Sequence, residues 1–114
     1  MTSINNTNEP SAYVPPTMEE WWAIVDRLNS LDLGAATLEG GGAACTFIMI
    51  ETNGGEFINF GDVNETWTAD VYPNISDWQQ GHSCDVFDTE VSTRNRNADD
   101  VANGYMAAWQ KFAE

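Results

Sequence analysis

AACTFIMIETNGGEFINF, residues 43–60, decides the fold. Two runs rich in β-branched and aromatic residues flank Asn53-Gly54-Gly55, whose glycines take positive φ at little cost, so the stretch predicts a β-hairpin. The run over 45–50 does not alternate with polar residues. Its strand is expected to be covered on both faces, or on one face while lying among other strands. The hairpin reads as scaffold, with function carried by the acidic helix faces, the 62–70 segment and the last strand. Its lead-in, Gly40-Gly41-Gly42, lacks the GxGxxG spacing, the following helix and the nearby base that a phosphate loop needs.

Upstream, Thr17-Met18-Glu19-Glu20 is a capping box: the threonine oxygen accepts from the amide three residues on, and Glu20 reaches back. Trp21, Ile24, Val25, Leu28 and Leu31 follow at helical spacing as one apolar stripe, and Gly34 is the expected stop. Trp22 lies off that stripe, toward Glu19 and Asp26. It reads either as a ring covering the core edge or as an exposed anchor for a partner. Residues 35–39 suit a short strand. Residues 1–16 are polar, end in Pro15-Pro16 and predict a flexible lead-in to a single domain over 17–114.

Downstream, Gly61-Asp62 is an expected break, and residues 65–72 predict a strand with Trp67, Ala69 and Val71 on one face. Residues 75–81, with Trp78, are expected to be a connection, and residues 82–91 the last strand, with Val86 and Phe87 on opposite faces. Asn97 caps a closing helix whose apolar face is Val101, Ala102, Tyr105, Ala108, Trp109 and Phe112, with Lys111 in its last turn. Gly104 should cost that helix about 1 kcal/mol relative to alanine, which calls for a close approach or a solvent-facing position. The expected class is α+β: an N-terminal helix, an antiparallel meander of about four strands and a C-terminal helix, with the helices on one sheet face.

Charge is the strongest global signal: 18 acids against 4 bases, a formal −14 at pH 7. Such a field repels nucleic-acid phosphates and anionic membranes and favours a basic protein partner, including one that itself binds nucleic acid. With 42% hydrophobic residues, five Trp, five Phe and three Tyr, the chain can bury enough aromatic area to fold. The start MTSINNTNEP has no basic-then-apolar pattern of a secretory signal, and a cytoplasmic protein, monomeric or homodimeric, is expected. Cys45 and Cys84 are then reduced, each a small buried hydrophobe, although a disulfide is possible where their strands are neighbours.

His82-Ser83-Cys84 would place an imidazole and a thiol on one strand face. A nucleophilic thiol needs a neighbouring cation, and Asp85 is adjacent instead. Two such ligands also fall short of a structural zinc site. Asp62, Asn64 and Glu65 form an oxygen-rich turn, but Thr66 and Trp67 stand where a calcium loop requires Asp or Asn and then glycine. No catalytic residue, cofactor or metal is therefore expected. Arg94 and Arg96 read as surface partners of Asp88, Glu90 or Asp99. What remains is a candidate interaction surface of Glu19, Trp22, Asp26, Asp62, Glu65, Asp70, Asp85, Asp88, Glu90, Asp99 and Asp100. Spread through every element, these acids permit a face that mimics DNA.

TMEEWWAIVDRL, LEGGGAACTFIMIE and ADDVANGYMAAWQKF give a capped helix, a Gly-rich connector into an apolar hairpin, and a closing amphipathic helix. In this architecture and composition the chain resembles the small acidic orphan proteins of tailed bacteriophages, especially those of actinobacteria. The resemblance implies a non-enzymatic accessory protein that binds and disables a host protein, such as restriction or CRISPR machinery, and assigns no residue a role. Two alternatives stand beside it: a small hydrolase or metal-assisted enzyme using His82, Cys84 and carboxylates, and a phage structural or assembly protein.

Overall fold

A computed structural model of the chain describes residues 14–40 and 46–114. The elements run α1 (Met18–Ser30), β1 (Gly34–Glu39), β2 (Phe47–Thr52), β3 (Phe57–Val63), β4 (Thr66–Tyr72), α2 (Ile75–Gln80), β5 (Asp85–Ser92) and α3 (Ala98–Phe112). The strands form one antiparallel five-stranded meander in sequence order, so the segment over 35–39 completes the sheet as its first edge. Most of the lead-in over 1–16, the glycines at 41 and 42, and Cys45 lie outside the described residues. Val14 to Pro16 lie against the fold: Pro16 is buried, and the Val14 carbonyl accepts a hydrogen bond from the Arg96 guanidinium.

α1 and α3 cover one sheet face and meet each other there. The capping box of α1 forms, with Glu20 N donating to Thr17 Oγ1 at 3.1 Å and Thr17 N to Glu20 Oε1 at 2.9 Å. Its stripe delivers Trp21, Ile24, Val25 and Leu28 to a core completed by Ile48, Ile50, Ile58, Phe60, Trp67, Ala69, Val71, Val101, Ala102 and Tyr105. Trp67 stacks on Phe60 at 5.5 Å and meets the edge of Trp21 at 5.4 Å. Tyr105 is 1% exposed, and its hydroxyl has no partner among the described residues. Burial, aided by the negative charge of Glu56, pushes its ionisation above the ordinary phenol range.

Several local expectations are corrected. The stop of α1 is Asp32, in the left-handed region at φ 60, while Gly34 already pairs with Thr52 as the first residue of β1. In the 52–56 turn only Gly55 takes positive φ, at 94, closed by Thr52 N donating to Glu56 O and Gly55 N to Thr52 O. Gly61-Asp62 does not break β3. The strand runs on to Val63, and the reversal is a two-residue Asn64-Glu65 turn with φ 54 and 63, the left-handed pair that matches strand twist. Asp62 holds that turn by accepting from Glu65 N at 3.0 Å.

The 75–81 connection contains a short helix, capped by Asn74, which accepts from Asp77 N, and stopped by Gly81 at φ 76. At six residues it is too short to declare itself by periodicity. It sits on the sheet face opposite α1 and α3, where Trp78 lies against Phe57 and donates Nε1 to Asn59 Oδ1 at 2.6 Å. β5 starts at Asp85, so His82 to Cys84 form a link outside the strand. The β4–β5 ladder shifts register between Thr66 and Thr68, and Glu90 takes φ 65 in the bulge.

Gly104 makes the close approach that its place in a helix calls for. A β-carbon there would lie 2.7 Å from Val91 Cγ2, a short and stiff branch. Gly104→Ala is therefore expected to lose more by crowding than the roughly 1 kcal/mol it gains in helix propensity, for a net loss of about 1 kcal/mol. Chemical denaturation checks the sign, and a more stable variant would show that Val91 yields.

Side chains take up some of the backbone groups at both sheet edges. On β1, the Asn29 amide from α1 bonds both Ala36 groups, accepting from its N–H at 2.8 Å and donating to its carbonyl at 3.0 Å. On β5, Asp85 accepts from Val86 N and Asp88 accepts from Glu90 N. These contacts use backbone groups that an incoming strand would need.

Candidate functional site: the open sheet face

Strand alternation and register divide the sheet's side chains into two sets. Facing the helices are Ile48, Ile50, Ile58, Phe60, Trp67, Ala69 and Val71. The opposite set is Glu39, Phe47, Met49, Glu51, Phe57, Asn59, Gly61, Val63, Thr68, Asp70, Tyr72, Val86 and Asp88, matched strand to strand by the pairs Glu39↔Phe47, Glu51↔Phe57, Asn59↔Asp70, Gly61↔Thr68, Asp70↔Val86 and Thr68↔Asp88. α2 covers the Phe57–Tyr72 end of this face. Among the described residues no element covers the remainder, where Val63 is 48% and Val86 54% exposed.

The hairpin read as scaffold thus has one buried face and one half-exposed one, which is why β2, its first strand, shows no clean alternation. Phe47 and Met49 are apolar residues on the less buried side.

None of the five strands carries a Lys, Arg or His. The four Lys and Arg lie elsewhere: Arg27 on α1, Lys111 on α3, and Arg94 and Arg96 in the β5–α3 loop. Arg27 pairs with Asp99 at 2.6 Å, Arg94 with Glu65 at 3.1 Å and Arg96 with Glu20 at 3.7 Å. These contacts tie α1, the β3–β4 turn and the start of α3 together, and give Arg94 and Arg96 the partners Glu65 and Glu20, which are not among those expected from sequence. Positive charge is thereby concentrated on the helical layer and its margin, while the open face has only acids.

The sequence-selected residues divide accordingly. Glu19, Trp22 and Asp26 are exposed on α1, Trp22 at 48%. Asp99 and Asp100 occupy the first turn of α3, where Asp100 Oδ2 also accepts from Asn95 Nδ2. Asp62 and Glu65 serve the β3–β4 turn, Asp62 accepting from Thr93 Oγ1 as well. Asp85 opens β5 at the helix-facing position opposite Val71, and Glu90 sits in the bulge at the edge. Asp70 and Asp88 stand on the open face. Reading by charge missed Glu39 and Glu51, together with Phe47, Met49, Asn59 and Gly61 between the acids. Counting alternate positions outward from the two hairpin turns would have found them.

Within the open face, Phe47, Asn59, Gly61, Asp62, Val63, Thr68 and Asp70 line a shallow hollow of about 210 Å³. Asn59 is fixed in its wall, accepting from Trp78 Nε1 and donating to Tyr72 OH at 3.4 Å. Tyr72 ionises above its ordinary range, chiefly through burial and secondarily through the Asp70 charge, with the Asn59 contact opposing both. A larger groove of about 530 Å³ runs between β5 and α3, with Phe87, Asp88, Glu90, Gly104, Lys111 and Phe112 among its lining residues.

His82 and Cys84 line neither cavity and are exposed on the link before β5; the expectation of a buried Cys84 thiol is corrected. The nearest acid partner of His82 is Asp77, with Nδ1 3.9 Å from Oδ1. Among the described residues, no three His, Cys, Asp or Glu side chains are grouped so as to hold a metal ion, and no helix is long and apolar enough to cross a membrane. Comparisons with known protein families, curated proteins and solved structures give no match.

Proposed function

We propose that this chain is a non-enzymatic protein-binding module whose open sheet face engages a basic partner. One observation carries the reading: five strands without a single base present Glu39, Glu51, Asp70 and Asp88 among Phe47, Met49, Val63 and Val86. Acids steer a basic protein to the face, and the half-exposed apolar side chains supply area that is lost to water on contact. A second copy is a poor occupant, since two chains of −14 repel.

The apolar content also sets this reading above DNA mimicry, because a stand-in for a phosphate backbone presents charge throughout and gains nothing from Phe47 or Met49. On the architectural likeness to phage accessory proteins, the favoured partner is a basic host protein met in the cytoplasm.

The test is retention of proteins from a bacterial lysate on the immobilised chain, compared with an Asp70→Lys/Asp88→Lys variant and a Glu19→Lys/Asp26→Lys control on α1. A basic protein should be held by the parent and the control and released by the sheet-face variant. Raising salt from about 0.1 M to about 1 M, which shortens the screening length from about 10 Å to about 3 Å, should also elute it. Equal loss in both variants, or salt-insensitive retention, would refute the assignment to this face.

A further inference from the structure

The hollow on the open face owes its existence to Gly61. At an outward position in the middle of the sheet, this residue contributes no side chain, and a β-carbon there would already lie 3.4 Å from Phe47 Cβ. Phe47 and Val63 give the hollow apolar walls, Thr68 is nearly buried beside it, and Asp70 brings a carboxylate to its lining, whereas the Asp62 carboxylate is engaged by Glu65 N and Thr93 Oγ1. Asn59 is held on both sides, by Trp78 and Tyr72, so this wall is fixed before anything binds. Asp70 takes part in none of the ion pairs among the described residues, which engage Asp99, Asp77, Glu65 and Glu20.

Size and chemistry narrow the occupant. At about 210 Å³ the hollow falls below the roughly 300–1,000 Å³ of clefts that enclose whole small molecules. It suits one long side chain. An aromatic wall beside a carboxylate favours an apolar stem with a cationic head, and a planar guanidinium both stacks on the ring and forks onto the carboxylate. We infer that the hollow is an anchor pocket for a single arginine side chain of the basic partner, with Phe47 as the stacking surface and Asp70 as the counter-charge. The inference rests on the open face being the contact surface. It adds the residue type that is recognised there and the place where it docks, since buried arginines are common energetic anchors of interfaces.

The experiment titrates the ¹⁵N-labelled full chain with N-acetyl-arginine methylamide, its lysine and leucine counterparts, and hexa-arginine, following backbone amide shifts. The arginine compound should give saturable shifts centred on Phe47, Asn59, Gly61 and Asp70, the lysine compound weaker ones, and the leucine compound none. Asp70→Asn should weaken arginine binding about tenfold, the effect of losing one charge-assisted contact. Phe47→Leu, which keeps the apolar bulk, should weaken it about threefold by removing the ring face. Undisturbed amides on α1 and α3 show that each variant is folded. Equal shifts from lysine would overturn the choice of arginine. If hexa-arginine maps to the sheet face while the single arginine shifts nothing around Gly61, the pocket is wrong and the face stands. If hexa-arginine maps instead to Glu19, Asp26, Asp99 and Asp100, both are wrong.

Discussion

A Gly34→Ala chain is expected to lose about 3–5 kcal/mol of folding stability, enough to leave a domain of ordinary stability, about 5–15 kcal/mol, marginal or unfolded. Two effects combine. Gly34 has φ 147, which a residue with a β-carbon adopts only under strain. That carbon would also lie 2.3 Å from the Glu51 carbonyl oxygen and 2.9 Å from Thr52 Cα. Both obstacles are backbone in the neighbouring strand, where no rotamer can swing away, so relief requires β1 to separate from β2 at the Gly34–Thr52 pair. Gly55→Ala is the control. Its φ of 94 is equally unfavourable, but nothing lies within 4 Å of the added carbon, and a loss of about 1 kcal/mol is expected. Urea denaturation followed by tryptophan fluorescence measures both; similar losses would show that the steric contact with β2 contributes nothing.

Trp67→Ala is the second large effect, an expected loss of about 4–5 kcal/mol. Trp67 is fully buried, joins α1 to the sheet through Trp21, stacks on Phe60, and donates Nε1 to the Asn95 carbonyl at 3.0 Å. Alanine opens a cavity between helix and sheet and takes away that donor. Trp67→Phe separates the terms: the ring contacts persist in part, the hydrogen bond does not, and a loss of about 1–2 kcal/mol is expected. The same denaturation series reads both variants, and a Phe variant as unstable as the Ala variant would assign the effect to the hydrogen bond.

The parts of the fold legible in sequence are those specified by neighbours in the chain. The Thr17–Glu20 box, the Trp21–Leu28 stripe, the Asn97 cap and the Trp67, Ala69, Val71 alternation each need only a few consecutive residues, and each is where it was expected. The errors fall where side-chain contacts, near and far in sequence, override the backbone preference of the residue itself. Asp32, Asn64, Glu65 and Glu90 adopt left-handed backbone without being glycine. Asn64-Glu65 is held there by the Asp62 carboxylate and Arg94, and Glu90 by Asp88. Gly61 looked like a strand break because a glycine punctuates locally, yet its position is defined by Phe47 across the sheet.

The candidate face was hidden for a related reason. Charge identifies acids but not the side of the molecule they occupy. Glu19, Asp26 and Asp99 belong to the helical layer, whereas Glu39 and Glu51 join Asp70 only through strand register.

The Asn29 contact on β1 and the Asp85 and Asp88 contacts on β5 have a consequence for how this protein can change over time. A protein that recruits partners by adding a strand at an edge reads mostly main chain, and its selectivity is tied to the geometry of its own ladder. Here side chains take up backbone groups on both margins, so on the proposed reading recognition falls to the side chains of the open face. On that reading, residues such as Phe47, Met49, Val63, Asp70 and Val86 are exchangeable one at a time as a partner changes, while the hydrogen-bonded frame beneath them stays the same.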